Sequence, residues 1–285
     1  MGREIKKIFL VVIILLGSRL FAQDLTIIGG VGNFSFDPAS DSFIGAGEFS
    51  GHFYPLGRVS FKDQITTTFG YTAAAERDPI LRNILSCEMT INAGIVKFSV
   101  GPLFSVFNSW DTYIRPGISA SLGLEFPGIL FLNFRGGATF GSSMEYDYSL
   151  ETSRIALGFW LPYMLGTLSM TTNKFNEQGS VFTQDELIRF CFRVDIFVKN
   201  IPYTVSVEMG YQTISRSYDS TDKDAMHSAF LGFETNIEVK PNFVIIFGAE
   251  LPIFVWGEKP LVREKPLWYF RAFTGITWSF EKAPA

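Results

Sequence analysis

The chain has 285 residues and a formal net charge of −4; 47% of its residues are hydrophobic and 16% aromatic. Only 18% are charged, against about 25% in a typical soluble domain. The acidic balance, with no basic stripe interleaved with aromatics, leaves no nucleic-acid footprint. Two isolated cysteines, Cys87 and Cys191, and two histidines, His52 and His227, supply neither a disulfide framework nor a metal-ligand spacing, so no metal and no cofactor is expected.

The first residues read as a secretory signal. Arg3, Lys6 and Lys7 form a positive start, and Ile8 to Leu16 is an apolar run too short to span a bilayer as a helix. Gly17-Ser18-Arg19 ends the run, and cleavage is expected after Ala22, the alternative being an uncleaved anchor. No Cys follows the run to make a lipoprotein. Residues 1–22 are thus a signal peptide and 23–285 a single exported domain. Beyond the signal no apolar run approaches the roughly 20 residues of a membrane helix. A chain this apolar must satisfy its backbone by strand pairing if it sits in lipid. The alternative is a large secreted β-sandwich with an aromatic core.

Fourteen strands are predicted in chain order, near 25–36, 43–54, 59–72, 82–92, 94–107, 112–126, 129–141, 150–161, 163–172, 183–198, 202–215, 227–239, 242–256 and 267–280, with twelve as the alternative count. The connectors sort by parity. One alternate set is short: Pro55-Leu56-Gly57, Ala93-Gly94, Pro127-Gly128, Leu161-Pro162, Asn200-Ile201-Pro202 and Lys240-Pro241-Asn242. The other set is longer and more polar: 37–41, 73–81, 108–111, 142–148, 173–182, 217–225 and 257–266. Short turns on one rim and long loops on the other are the plan of outer-membrane barrels.

Within strands the side chains alternate. Ile188, Phe190, Phe192, Val194, Ile196 and Val198 share one face; Arg189, Cys191, Arg193 and Asp195 share the other. Val205, Val207, Met209 and Tyr211 oppose Ser206, Glu208, Gly210 and Gln212, while Phe243 through Ile253 on odd positions oppose Gly248 and Glu250. Apolar faces are assigned to lipid, where a midplane charge costs about 2–4 kcal/mol. The 59–72 strand is imperfect, because Asp63 falls on its apolar parity. The last strand carries Trp268, Phe270, Ala272, Ile276, Trp278 and Phe280 on one face, with Phe273 and Thr274 as exceptions.

On these features the chain resembles bacterial outer-membrane β-barrels over its mature length. Phe273-Thr-Gly-Ile-Thr-Trp-Ser-Phe280 is similar to the terminal strand that the barrel assembly machinery reads, with Gly275, Trp278 and Phe280 at the signal positions. Phe273 and the trailing Glu281–Ala285 depart from that pattern. The resemblance implies an all-β, transmembrane, antiparallel up-and-down barrel in the outer membrane, partnered by lipid and the assembly machinery, similar in size to small porins.

The inward parity gives the functional expectation. Its basic members are Lys62, Lys97, Arg115, Arg135, Arg154, Arg189, Arg193 and Arg271; its acidic members include Glu48, Glu88, Glu125, Asp195, Glu208, Glu234, Glu238 and Glu250. Arg115 through Arg193 form an arginine arc, and Glu208 through Glu250 a carboxylate arc. Across a water-filled lumen these arcs set a transverse field that sorts small polar or charged solutes. The competing readings are a structural or adhesive barrel whose lumen is braced or plugged by Arg–carboxylate pairs, and a barrel hydrolase or acyltransferase. No enzyme is expected: His52 follows Ser50 without a nucleophile elbow, and His227 reads as a surface residue. Asp219, Asp222 and Asp224 lack the Gly and terminal Glu of a calcium loop. Tyr54, Trp110, Tyr113, Trp160, Tyr203, Trp256, Trp268 and Trp278 are assigned to the interfacial aromatic girdles.

Overall fold

The computed structural model describes residues 22–32, 44–61, 65–77, 83–108, 112–140, 147–178, 182–197, 203–218, 222–257 and 271–279. The signal residues 1–21, Lys62, Asp63, Asp219, Trp110, Trp268 and Phe280 lie outside the described residues. Those described form the strands β1 (Ala22–Gly32), β2 (Ile44–Phe61), β3 (Ile65–Arg77), β4 (Asn83–Ala93), β5 (Val96–Asn108), β6 (Thr112–Phe126) and β7 (Leu130–Thr139). They continue as β8 (Asp147–Leu161), β9 (Met164–Gln178), β10 (Phe182–Phe197), β11 (Tyr203–Tyr218), β12 (Asp222–Lys240), β13 (Phe243–Gly257) and β14 (Arg271–Ser279).

Every strand pairs antiparallel with its chain neighbours, and β1 pairs with β14 from Asp24↔Ser279 to Gly32↔Arg271. Pairing first to last leaves no sheet edge, the arrangement that satisfies every strand's backbone where no water is at hand. The sorting of faces follows the alternation. Ile118, Leu122, Phe134, Ile155, Leu157, Leu168, Phe190, Met209, Leu231, Phe233, Phe247, Leu251 and Ile276 are large, apolar and exposed on the outside. A soluble sandwich would bury these side chains between sheets, and here none of them has a second layer to meet.

Four of the expected short turns close, at Gly94-Ile95, Pro127-Gly128-Ile129, Pro162-Tyr163 and Pro241-Asn242, the first and third shifted by one residue, while Asn200-Ile201-Pro202 lies outside the described residues. Gly94 (φ 60°) and Gly128 (φ 72°) supply the left-handed residue in theirs, and the third has Tyr163 at φ 68°. Pro55-Leu56-Gly57 is a correction: these residues lie inside β2, where the register to β3 jumps between Phe53 and Gly57. A bulge accommodates Pro and Gly as well as a turn does, since it leaves residues out of the ladder. Three polar connectors also turn out to be mostly strand, the first because β3 runs to Arg77. β9 runs to Gln178 and β10 starts at Phe182; β11 runs to Tyr218 and β12 starts at Asp222. Asp222 and Asp224 are therefore ladder residues opposite Tyr218 and Arg216. Polarity alone does not end a strand whose two neighbours continue to offer hydrogen-bond partners.

Phe273, the exception in the last strand, has a physical reason. It faces inward opposite Gly248, and a Cβ added to Gly248 would lie 2.2 Å from the Phe273 ring. The same device recurs at Phe230 over Gly210 and Phe131 over Gly158, where a Cβ would come within 2.5 and 2.0 Å of the ring. An aromatic laid across a cross-strand glycine covers backbone that the missing side chain leaves bare.

Candidate functional site

The inner wall is built from ion pairs that run across several strands. Arg189 on β10 donates to Glu250 on β13 through Nη1 (3.0 Å) and Nη2 (2.8 Å), and pairs with Glu208 on β11. Its guanidinium carbon lies 3.9 Å above the Phe230 ring on β12, so one side chain touches three further strands. Glu250 is 6% exposed and Phe230 fully buried. Arg193 forms a second cluster. It donates to Asp195 (2.7 Å), Glu234 (2.9 Å) and Ser206 (2.9 Å), and Ser206 in turn donates to Asp195 (2.6 Å).

The other side of the barrel has its own clusters. Arg135 on β7 reaches β4, donating to Glu88 from Nε (3.1 Å) and Nη2 (2.9 Å) and to Ser86 (2.9 Å). The Ser119 hydroxyl also donates to Glu88, at 2.8 Å. Lys97 pairs with Glu125. Toward the long-loop rim, Arg216 holds Asp185 through two bonds of 2.7 and 2.9 Å.

The expected arcs are thus not left bare across the lumen. Arg189 and Arg193 are engaged by carboxylates on their own side, because long side chains on neighbouring strands reach one another more easily than they reach across a wide barrel. A charge difference survives the pairing. Among described inward residues, β4–β8 carry four basic groups (Lys97, Arg115, Arg135, Arg154) against two acidic (Glu88, Glu125), a net +2. On β10–β13, leaving aside Asp222 at the strand end, three arginines (Arg189, Arg193, Arg216) meet seven carboxylates (Asp185, Asp195, Glu208, Asp224, Glu234, Glu238, Glu250), a net −4. Arg271 sits opposite Glu250 in the β13–β14 register, and Glu48 opposite Ile28 in β1–β2. Gly275 and Trp278 lie in β14, with Trp278 exposed outward against the edge of Phe243.

Two features of the wall had no counterpart in the sequence reading. First, Leu103, Leu150, Phe175, Leu187, Ile214 and Met226 are inward yet at most 6% exposed. They are joined through Leu150↔Phe175, Leu187↔Ile214 and Ile214↔Met226, and Leu103 packs on Leu150. This apolar layer lies toward the long-loop end, so the lumen is packed there. Parity alone gives the inward face, not whether water reaches it. Secondly, Asp185 is the buried counter-charge of Arg216, a pair separated by 31 residues and invisible to local pattern.

His227 is more than a lone surface group. It faces outward, with Nδ1 2.7 Å from the Tyr211 hydroxyl and 3.1 Å from Thr213 Oγ1, between the rings of Tyr211 and Trp256. Trp256 and Tyr203 are also outward and partly exposed, as a girdle requires. Trp160 is a correction: it shares the face of Arg154 and stacks on Phe197, 6.1 Å between ring centroids, on the inside of the short-turn rim.

An edgeless antiparallel cylinder, oily outside and ion-paired inside, decides the architecture. The fold is a porin-like outer-membrane-type β-barrel. The sequence matches no protein-family model and no curated protein. The barrel is similar in shape to several solved structures. One is OmpF of Salmonella typhi in complex with daunomycin, 8% identical, covering 90% of this chain and 96% of that one with a TM-score of 0.44. Another is OmpT, an outer membrane protein of Vibrio cholerae, 7% identical, covering 91% and 96% with a TM-score of 0.43. A third is an anion-selective porin from Comamonas acidovorans, 11% identical, covering 91% and 99% with a TM-score of 0.39.

Proposed function

We infer that the mature chain resides in the bacterial outer membrane and lets small polar or charged solutes diffuse passively through a narrowed lumen. Lipid solvates its outer stripe. The assembly machinery reads its terminal strand, from Gly275 through Trp278 to Phe280. The chain carries out no catalysis. The observation that carries the pore reading is that inward Lys97, Asn133, Arg154 and Glu238 remain exposed: solvent reaches the wall beside the ion-paired clusters. A net +2 wall beside a net −4 wall gives solutes two electrostatically distinct sides to track along.

A second reading is favoured by the buried layer at Leu103, Leu150, Phe175 and Leu187: a closed, structural barrel whose lumen is blocked toward the long-loop end. Single-channel recording of the refolded mature protein separates the two. Discrete conductance steps in KCl are expected. Silence at every voltage would leave the closed barrel. Turnover of phospholipid or of a chromogenic ester that disappears in His227→Ala would overturn the non-enzymatic assignment.

A further inference from the structure

We propose that Arg154 is the anion contact of this lumen, engaging a carboxylate or phosphate oxygen of a small anionic solute as it passes; this rests on the pore reading. Around Arg154, the inward positions of β7, β8 and β9 hold two arginines, Arg135 and Arg154, and no carboxylate; Glu177 shares this face only at the far end of β9, six residues beyond Thr171. The two stand directly opposite each other in the β7–β8 register. Like charges so placed repel unless each has a counter-charge. Arg135 obtains its own by leaning away to Glu88 and Ser86 on β4. Arg154 has no ion pair among the described residues and stays exposed.

The surroundings of Arg154 suit an oxyanion. Thr171 is its register partner on β9. One step away on the same face, Thr152 donates to Asn173 at 2.7 Å, and Asn133 is exposed nearby on β7. Hydroxyl and amide donors beside a guanidinium fork solvate a carboxylate or phosphate without the fixed carboxylate that would compete with it. The contact is also weak enough to release its ligand, because an exposed guanidinium is screened by salt and water. Conduction needs that balance between attraction and release. Glu238, exposed and with no ion pair among the described residues of the −4 wall, attracts cations instead. The anion contact is therefore confined to one sector of the barrel.

The test uses the refolded mature protein in planar bilayers under a KCl gradient, comparing wild type with Arg154→Gln, Arg154→Met and Arg154→Lys, each first checked for heat-modifiable migration. Both neutral variants are expected to shift the reversal potential toward potassium. They should also raise the concentration of inorganic phosphate that half-blocks the current by about tenfold, the loss of one charge-assisted contact. Arg154→Lys keeps the reversal potential but weakens the phosphate block, since an ammonium lacks the planar fork. Conducting channels with unchanged reversal potential and unchanged block in the folded neutral variants would overturn this proposal and leave the pore standing. A wild type that conducts nothing would overturn both.

Discussion

Replacing Arg189 by methionine removes a cation while keeping much of the stem that lies over Phe230. The variant leaves Glu208 and Glu250 as neighbouring carboxylates, with Glu250 side-chain exposure only 8% and that of Glu208 21%. Taking away one partner of a buried pair typically costs about 3–5 kcal/mol, because the surviving charge is left uncompensated. The lost cation–π contact adds about 0.5–2 kcal/mol. Partial exposure of Glu208 screens its charge and pulls the total just below that sum, to about 3 kcal/mol. Urea unfolding in detergent micelles, followed by tryptophan fluorescence, reads this directly. At a slope of about 2 kcal/mol per molar the midpoint falls by about 1.5 M. Arg189→Met combined with Glu208→Gln and Glu250→Gln should recover most of the loss, since the penalty belongs to the orphaned charges rather than to missing bonds. A loss below about 1 kcal/mol in the single variant, or a triple variant no better than it, would refute the view of Arg189 as the brace of β10–β13.

The outward assignment predicts that Phe233→Arg costs about 2–4 kcal/mol of folding into lipid vesicles, measured by gel-shift titration against urea. A much smaller cost would place Phe233 outside the hydrocarbon. Gly117→Ala should destabilise by about 1–3 kcal/mol, because its new Cβ would lie 2.2 Å from the backbone oxygen of Ala138. Gly158→Ala should cost less, because it meets only the far edge of the Phe131 ring, which can swing into the lumen; paired melting curves check the order. Cys191 is buried on the inner wall at 9% exposure, so a water-soluble maleimide should leave it unlabelled in the folded barrel and label it in urea. Rapid labelling of the native protein would contradict that packing.

Much of the fold was legible locally because a strand in a barrel has two environments and a period of two. The stripe of Ile188, Phe190 and Phe192 against Arg189, Cys191 and Arg193 needs only neighbouring residues to be read, and Gly94, Gly128 and Pro162 mark turns by their own backbone preferences. Pro55 and Gly57 misled for the same reason: a residue that can end a strand can equally sit in a bulge, and the choice belongs to the register with β3. Phe273 looked like an error in the pattern until Gly248 appeared opposite it.

The amino-acid order alone determined that this chain alternates, which stripe is oily and which charged, and that every inward arginine would need a counter-charge or water. Only the closed sheet decided which it received. Arg189 found Glu250 61 residues away and Arg135 found Glu88 47 residues away, while Arg154 was left to the solvent. Cross-strand neighbourhood is set by register and barrel closure, and no spacing along the chain encodes it.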